Sequence, residues 1–470
     1  MATNKRDLTG LLNPRSIAVI GASERNVFSV MFASNLRAVG YKGKVFAVNR
    51  EAKPAHGFPG FKSCAEIGEP VDAAYVGLPL ASVIPAIEDA AACGIRNFVV
   101  VAGGFAETGP EGARAQAELR AVADRLGLNI LGPNCLGHIN FSDSSAVGAL
   151  TVDAPCRVGG LALVSASGAL VSQMVRFAER QNIGLSHVIA SGNEAVVGAG
   201  DFIGHLVDDP KVRAIGLFLE EIRNPEAFIA AARAAREAKK AIVVVKVGRS
   251  EISKTVARAH TGADTGDDAA FDALCEEHAL VRVDTLEDLM VTGALLAERG
   301  ALPAGGAAFI SMSGGACELV ADAAARVGLE LPSFAPAVYE RLHALVAGGG
   351  LASVNNPLDL TGAVARNTEL WEDIYDTIAQ DERIGVIVAL TDQPSQWERT
   401  ETIEKVFASI ARAQSKHGKR SLFVNSFTSF LSDYDREFQD DAQLGVILPS
   451  IGSGVTAIAK ALWWAKKVSG

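Results

Sequence analysis

The sequence lacks the features that mark membrane, zinc-binding and nucleic-acid-binding proteins. None of its apolar runs approaches the roughly 20 residues that a membrane helix needs, and its first residues lack the apolar core of a signal peptide. The six cysteines are scattered without a Cys-x-x-Cys pair, which predicts reduced thiols and no metal site. A net charge of −10 without a basic stripe disfavours a nucleic-acid partner. These absences predict a cytoplasmic protein that acts on small molecules, with no membrane partner.

Glycine, alanine and short β-branched runs are abundant, and this is the composition of an α/β protein. Of the 470 residues, 46 are glycine and 49% are apolar, and Ala-rich helical patterns alternate with Val/Ile runs. A chain of this length exceeds one hydrophobic core. We therefore predict three α/β domains, over residues 1–143, 144–301 and 302–470.

The first predicted domain alternates strands and helices with short connections, which indicates a doubly wound parallel sheet. It closes at the turn-rich motif Gly132-Pro133-Asn134-Cys135-Leu136-Gly137. The pattern predicts strands at 16–21, 44–48, 72–77 and 97–101, and helices at 27–39, 82–92 and 111–126.

The second and third domains begin alike, with an apolar strand, a Ser-x-Ser-Gly motif and an Ala-rich helix. Helix N-termini carry unpaired amide donors and a partial positive charge, so both motifs are predicted to bind phosphate. The residues concerned are Ser167 and Gly168 in one domain and Ser313, Gly314 and Gly315 in the other. Further strands are expected near 186–190, 213–219, 241–247, 384–390 and 420–424, a linker at 300–306, and helices near 285–299 and 453–467.

His260 is the strongest candidate for a catalytic residue. It stands in Ala259-His260-Thr261-Gly262, which we interpret as a small-residue loop, downstream of a basic cluster. No other His or Cys stands at metal-ligand spacing, and an imidazole can carry and hand over an anionic group. Together with the two predicted phosphate sites, this pattern indicates a phosphorylated histidine intermediate. The alternative is a surface histidine that caps a helix.

Two acidic residues, Glu220 and Glu221, end the strand predicted at 213–219. A carboxylate there could hydrogen-bond an imidazole and fix its tautomer. A solvated pair of acids accounts for the pattern equally well.

A cofactor site is predicted where several strands of the first domain end. Gly21-Ala22-Ser23 follows the first strand, the usual place for nucleotide phosphates, although a tight turn needed for packing is the alternative. It is not a Gly-x-Gly-x-x-Gly fingerprint, and the second strand ends at Asn49 rather than at the acid of a nicotinamide enzyme, which disfavours hydride transfer. The predicted cofactor-binding residues are Gly21, Ala22, Ser23, Asn49, Pro79, Gly104 and Phe105.

With these motifs, the sequence resembles the α subunit of ADP-forming acyl-CoA synthetases, which are related to succinyl-CoA synthetase. The resemblance covers nearly the full length. The segment Lys246-Val247-Gly248-Arg249-Ser250 upstream of Ala259-His260-Thr261-Gly262 is its most specific part. It implies a Rossmann-like CoA-binding domain followed by two flavodoxin-like domains. Departures include Ala259 for the family's serine and Ala166 within its Ser-Gln-Ser-Gly motif.

The resemblance implies a reversible phosphate relay. Acyl-CoA and phosphate would give an acyl phosphate and CoA. His260, oriented by Glu220, would then take the phosphoryl group, release the carboxylic acid and pass the group to ADP. The nucleotide, with Mg²⁺, would be bound by a separate ATP-grasp β subunit in an α2β2 assembly.

Two other functions compete with the ligase. A non-catalytic CoA-binding or sensing protein would bind CoA without acid-dependent nucleotide turnover. A nicotinamide oxidoreductase is supported by the parallel-sheet pattern alone. The acid is not specified by the sequence, and the apolar residues Val27, Phe28 and Phe58 are candidates for its pocket.

Overall fold

The structure is a computed structural model. It describes residues 5–152, 156–261, 265–347, 354–360, 363, 367–394, 400–441, 444 and 446–469, without the side chains of 258–261 and 419. The chain forms two compact units, Met1–Glu179 with Ile183–Asp284, and Arg180–Asn182 with Thr285–Gly470. Within the described ranges, no helix has both the length and the apolar character needed to cross a membrane.

The first sheet of the first unit has six parallel strands in the order β3-β2-β1-β4-β5-β6, the Rossmann order. Its strands are continuous apolar runs because helices cover both faces of the sheet. The elements are α1 (Thr9–Leu12), β1 (Ser16–Ile20), α2 (Val27–Ala38), β2 (Lys44–Val48), β3 (Gly60–Phe61), β4 (Ala73–Val76), α3 (Leu80–Ala92), β5 (Asn97–Val100), α4 (Pro110–Leu126) and β6 (Asn129–Leu131), with 3-10 turns at Cys64–Ile67 and Ala106–Thr108.

The second sheet of the same unit has seven strands in the order β13-β12-β11-β9-β10-β7-β8. Its five parallel strands have the flavodoxin order, and the β7–β8 hairpin pairs antiparallel with β10 at one edge. The elements are β7 (Gly137–Asn140), β8 (Ser145–Gly148), β9 (Val158–Ser165), α5 (Gly168–Arg180), β10 (Leu185–Ala190), α6 (Ala199–Asp208), β11 (Ala214–Leu219), α7 (Pro225–Glu237), β12 (Ala241–Lys246), α8 (Glu251–Thr261), α9 (Asp268–His278) and β13 (Val281–Arg282).

The second unit contains a five-stranded parallel sheet, β15-β14-β16-β17-β18, which again has the flavodoxin order. An apolar core that includes Trp371 and Phe423 packs on it. The elements are α10 (Leu286–Arg299), β14 (Gly306–Ser311), α11 (Gly314–Val327), α12 (Pro336–Val346), β15 (Leu358–Asp359), α13 (Leu370–Ile378), β16 (Ile384–Leu390), α14 (Glu401–His417), β17 (Ser421–Val424), α15 (Asp433–Asp441), β18 (Ile447–Leu448) and α16 (Ile451–Ser469), with a 3-10 turn at Gly418–Arg420.

The predicted fold class, one Rossmann-like and two flavodoxin-like sheets, is confirmed. Three local features differ from the sequence-based predictions. The boundary predicted at 143/144 falls inside the β7–β8 hairpin, whose strands both belong to the second sheet. Helix α10, expected to close the second domain, belongs to the second compact unit. His260 lies in the last turn of α8 rather than on a loop, because the helix continues to Thr261.

Candidate active site

The predicted cofactor edge lies where neighbouring strands of the first sheet end. Strands β2, β1, β4 and β5 are adjacent and parallel, so the loops that follow them meet at one edge of the sheet. These loops carry, in the same order, Asn49, Gly21, Pro79 and Gly104. The chain reverses its winding direction between β1 and β4, and such a switch point opens a crevice for a ligand. Gly21 has φ +89°, and a Cβ there would lie 2.7 Å from the carbonyl oxygen of Gly77, so this position requires glycine.

The turn after β1 is held by a histidine that sequence reasoning missed. The amide of Ser23 donates to Ser29 Oγ at 3.2 Å, and His56 Nε2 lies 2.8 Å from the same hydroxyl and 3.2 Å from the Ser23 carbonyl oxygen. Asn26 Oδ1 accepts from the first amides of α2. Asn49 orders its own loop, since Oδ1 accepts from the amide of Lys53 at 3.0 Å. The start of α2 is therefore largely capped by the protein's own side chains.

The loop after β5 is fixed by a carboxylate. Glu107 Oε1 accepts from the amides of Gly104 at 2.6 Å and Phe105 at 3.1 Å. Gly104 has φ +98°, a conformation that favours glycine. The Phe105 ring is fully buried in the core of the first sheet, which leaves its backbone as the part that a cofactor could contact. Pro79 precedes the first turn of α3.

A cavity of about 320 Å³ lies between the carboxyl edges of the two sheets of the first unit. Ser167, Gly168 and Glu220, three residues predicted for catalysis or phosphate binding, share this cavity. Its lining is Phe28, Val101, Asn134, Cys135, Leu136, Ala166, Ser167, Gly168, Ala169, Gly192, Asn193, Glu194, Glu220, Glu221 and Arg223.

The start of α5 forms one wall of the cavity. Ser165 Oγ accepts from the amide of Ser167 at 3.1 Å and donates to its carbonyl oxygen at 2.9 Å, which fixes the turn into the helix. Gly168 and Ala169 belong to the first helical turn, so their amides have no acceptor within the helix. These amides and the positive end of the helix can bind an anion.

Carboxylates surround the opposite part of the cavity. Glu221 forms a 3.3 Å ion pair with Arg223, and Glu220 follows directly after β11. Glu194 is buried, and this burial raises the pKa of its carboxyl group, although hydrogen bonds from Ser191 Oγ at 2.7 Å and the Ala199 amide at 3.1 Å oppose the shift. The site therefore combines a helix N-terminus and one arginine with several carboxylates.

Helix α8, which carries His260, begins near the same edge of the second sheet. Ser250 Oγ accepts from the amide of Ser253 at 3.1 Å and caps the helix start. Cα atoms of α8 approach those of the 3-10 turn Ala106–Thr108, which follows the predicted CoA-binding loop. The side chain of His260, like residues Gly262–Asp264, lies outside the described part of the chain. Its contact with Glu220 remains a prediction.

The other predicted phosphate site lies in the second unit, at the start of α11. Ser313 Oγ caps the helix by accepting from the amide of Ala316 at 3.4 Å. A Cβ on Gly314 would lie 2.9 Å from Asp359 Oδ2, whereas one on Gly315 would face open space. The start of α11 is thus capped by its own serine, and its binding of phosphate stays a prediction.

The sequence assigns no role to several residues that line the cavity: Arg223, Asn134 and Leu136 of the turn motif, and Asn193 and Glu194 of the segment Ser191-Gly192-Asn193-Glu194-Ala195, which is part of the family resemblance. None of the predicted cofactor residues belongs to the cavity lining; they are Gly21, Ala22, Ser23, Asn49, Pro79, Gly104 and Phe105. Phe28 lines it, whereas Val27 and Phe58 do not. Over the described residues, no cluster of three or more His, Cys, Asp or Glu side chains could hold a metal ion.

Two family models match the first unit and part of the second. A CoA binding domain matches residues 15–140, and a succinyl-CoA ligase like flavodoxin domain matches residues 158–296. The first coincides with the Rossmann sheet and the second with the flavodoxin-like sheet of the cavity.

Curated relatives carry related names. The chain is 32% identical over 390 residues to the trans-feruloyl-CoA synthase FCS1 of an unknown prokaryotic organism, covering 82% of this chain and 55% of the relative. It is 29% identical over 397 residues to acetate–CoA ligase [ADP-forming] I of Archaeoglobus fulgidus, covering 84% of this chain and 56% of that relative. The chain thus spans about half the length of these relatives.

A solved structure shows the same fold over the full chain. The crystal structure of PH0766 from Pyrococcus horikoshii OT3 has a TM-score of 0.81 at 25% identity, covering 99% of this chain and 100% of that one. The acetate–CoA ligase [ADP-forming] II subunit alpha of Pyrococcus furiosus is 30% identical over 424 residues, covering 89% of this chain and 90% of that subunit. By this identity and coverage, the chain belongs to the family of ADP-forming acyl-CoA synthetase α subunits.

Proposed function

We propose that the chain is the α subunit of an acid–CoA ligase that interconverts acyl-CoA, ADP and phosphate with carboxylic acid, CoA and ATP. The observation that supports this function best is the cavity shared by Ser167, Gly168 and Glu220. It lies beside the closing turn of a CoA-binding domain, in a chain 30% identical to a named α subunit.

In the first step, a phosphate oxygen attacks the thioester carbonyl carbon. The new C–O bond forms as the C–S bond breaks, and the thiolate takes a proton to leave as CoA. The first-turn amides of Gly168 and Ala169 are suited to hold the attacking phosphate, because they are donors at the positive end of a helix. Ser167 fixes that turn through its hydrogen bonds to Ser165.

In the second step, a ring nitrogen of His260 attacks the phosphorus of the acyl phosphate. The N–P bond forms, the P–O bond to the acyl group breaks, and the carboxylate leaves. Glu220, which lines the cavity, is the residue we assign to orient the imidazole. In the third step, a terminal oxygen of ADP attacks the same phosphorus, and cleavage of the N–P bond gives ATP. Imidazole serves as both nucleophile and leaving group near neutral pH.

CoA fits the edge of the first sheet. The Rossmann order places a switch point between β1 and β4. Two features lie at this edge. The backbone at Gly21 packs so closely against Gly77 that only glycine fits, and Glu107 fixes the loop at Gly104. We assign Gly21, Ala22, Ser23, Asn49, Pro79, Gly104 and Phe105 to the CoA site, with Phe105 acting through its backbone.

We further propose that a second chain with an ATP-grasp fold supplies the nucleotide and Mg²⁺ site, in an α2β2 assembly. The support is the match to two α subunits of Pyrococcus furiosus, of which the chain covers 90% and 82%. Ser313, Gly314 and Gly315 at the start of α11 are the residues of the second unit that we assign to phosphate binding.

Labelling with γ-³²P-ATP tests the relay. The chain with its partner should acquire an acid-labile, base-stable label that His260→Ala abolishes. His343→Ala, which changes an exposed histidine of α12, is the control and should retain the label. An active enzyme with unchanged label in His260→Ala would refute the relay. CoA binding without any label or acid-dependent turnover would instead favour a non-catalytic CoA-binding protein. A screen of carboxylic acids for thioester formation would then identify the substrate.

A further inference from the structure

A chain of hydrogen bonds through Glu107 joins the loop after β5 to the cavity. One carboxylate oxygen, Oε1, accepts from the amides of Gly104 and Phe105 at 2.6 and 3.1 Å. The other oxygen, Oε2, accepts from Asn193 Nδ2 at 2.6 Å. A single side chain on the first domain therefore contacts both the assigned CoA-binding loop and a residue of the cavity wall.

Asn193 is buried, and its whole amide group is used. Besides its bond to Glu107, Nδ2 donates to Gln116 Oε1 at 2.9 Å, while Oδ1 accepts from Asn134 Nδ2 at 3.2 Å. Its backbone amide donates to the Pro133 carbonyl oxygen at 2.9 Å. Asn134 and Asn193 both line the cavity. Because every donor and acceptor of this amide is engaged, a shift of Glu107 must displace Asn193 or break a buried hydrogen bond.

We infer that Glu107 is a positioning residue that couples CoA binding at Gly104–Phe105 to the geometry of the cavity through Asn193. The inference rests on the proposed function, which assigns that loop to CoA. Hydrogen bonds to a carboxylate are the stronger kind, and two sites that share such a group are linked reciprocally. A CoA molecule that orders the loop thereby orders Asn193, and a cavity disturbed at Asn193 loosens the loop.

A connection that only holds the two domains together is the alternative, and one isosteric change separates the two roles. Glu107→Gln keeps an acceptor for the amides of Gly104 and Phe105 but places an amide group opposite Asn193 Nδ2. It therefore disrupts the cavity side of the network while preserving the loop side. Asn193→Ala disrupts the same link from the other end, without touching the loop.

CoA titration of the full chain by calorimetry, in a double-mutant cycle, tests the coupling. Each single variant should raise the dissociation constant for CoA about fivefold, and the Glu107→Gln/Asn193→Ala double variant should raise it no further. Glu107→Gln/Asn193→Asp restores a donor–acceptor pair between positions 107 and 193, and Gln116 can turn its amide to donate to the new carboxylate. This variant should recover affinity to within about twofold, which a general loss of folding would not permit. Glu111→Ala, which removes an exposed acid of α4, should bind CoA like the unaltered chain.

Each outcome gives a clear decision. Unchanged CoA affinity in Glu107→Gln overturns the coupling, because the loop would then be independent of the cavity. Additive effects in the cycle also overturn it, since Asn193 would then contact CoA by itself. If the unaltered chain does not bind CoA, the proposed function fails rather than the coupling.

Discussion

Gly168 lies directly against Leu136. A Cβ on Gly168 would be 2.8 Å from both Cγ and Cδ1 of Leu136, and both residues line the cavity. Leu136 stands in the turn that follows the first sheet, and Gly168 is the first residue of α5 in the second. The absence of a side chain at Gly168 is thus what allows the predicted phosphate-binding helix start to approach the CoA-binding domain.

Gly168→Ala should displace the start of α5 or the Leu136 side chain. Overpacking of this kind costs about 1–3 kcal/mol, and a small shift of the helix amides should reduce formation of the phosphoenzyme. Thermal unfolding and the labelling rate would measure the two effects. Gly168→Ala/Leu136→Ala should recover part of both losses. The control is Gly204→Ala in α6, where a Cβ meets only Lys5 Cε at 3.8 Å. Equal behaviour of the two glycine variants would contradict the steric argument.

Glu220→Gln should slow phosphorylation of His260. The change removes the carboxylate that we assign to orient the imidazole and stabilise its charge, an effect worth about 100-fold in rate. Rapid-quench labelling with ATP would measure it, with CoA affinity as the second readout, which should stay the same. Glu226→Gln removes an exposed acid from the first turn of α7 and serves as the control. A labelling rate within twofold of the unaltered enzyme would exclude Glu220 from this role.

The strands were predictable because they are buried on both faces. Residues 45–48 and 241–245 are continuous apolar runs whose limits can be read directly from the sequence. The β7–β8 hairpin was missed because it buries polar residues, among them His138, Asn140 and Ser145, which hide the apolar pattern. The sequence predicts a loop near His260 rather than the end of helix α8, since Ser253, Thr255 and Thr261 are weak helix formers and Gly262 follows them.

The candidate site was predictable only where a local sequence motif is enough to indicate a function. Ser167-Gly168 at a strand–helix junction indicates an anion site whatever surrounds it. Asn193 offers no such signal, because its importance comes from Asn134 and Glu107, which are 59 and 86 residues away in the sequence. Phe28 is one of three apolar candidates for the acid pocket, and only the fold separates it from Val27 and Phe58, because Phe28 in α2 lines the cavity and the other two do not.

Phe28→Ala should change the preference among carboxylic acids. Phe28 is the residue of α2 that lines the cavity, and its side chain is 40% exposed, so its removal enlarges the cavity with little loss of core packing. We expect kcat/KM for a bulky aromatic acid to rise at least about threefold relative to that for acetate, since one or two methylene equivalents change binding by about 1 kcal/mol. Val30→Ala, an exposed apolar residue of the same helix outside the cavity lining, is the control. An unchanged ratio would show that the acyl group binds elsewhere.

Two buried histidines of the second sheet should make the first unit sensitive to acid. Burial lowers the pKa of His138 on β7 to about 3 and that of His187 on β10 to about 4. Both are therefore neutral in the folded chain, whereas the unfolded chain binds their protons below about pH 6.5. Stability from this source is complete above that pH and is lost as the pH falls towards the folded values. Between pH 7 and 5 the loss amounts to about 2 kcal/mol for each histidine.

His138→Leu separates this effect from general acid denaturation. Lowering the pH from 7 to 5 reduces the free energy of unfolding of both proteins, and the reduction should be about 2 kcal/mol smaller for His138→Leu. The reason is that this variant lacks one of the protons taken up on unfolding, and the difference holds whatever its stability at pH 7. Urea denaturation at several pH values would measure the slope, in a range above the pH at which most carboxylates titrate. His343→Leu changes an exposed histidine of α12 and should leave the slope for the first unit unaltered. An identical pH slope for His138→Leu and the unaltered chain would mean that His138 binds its proton equally well in both states, and the burial argument would fail.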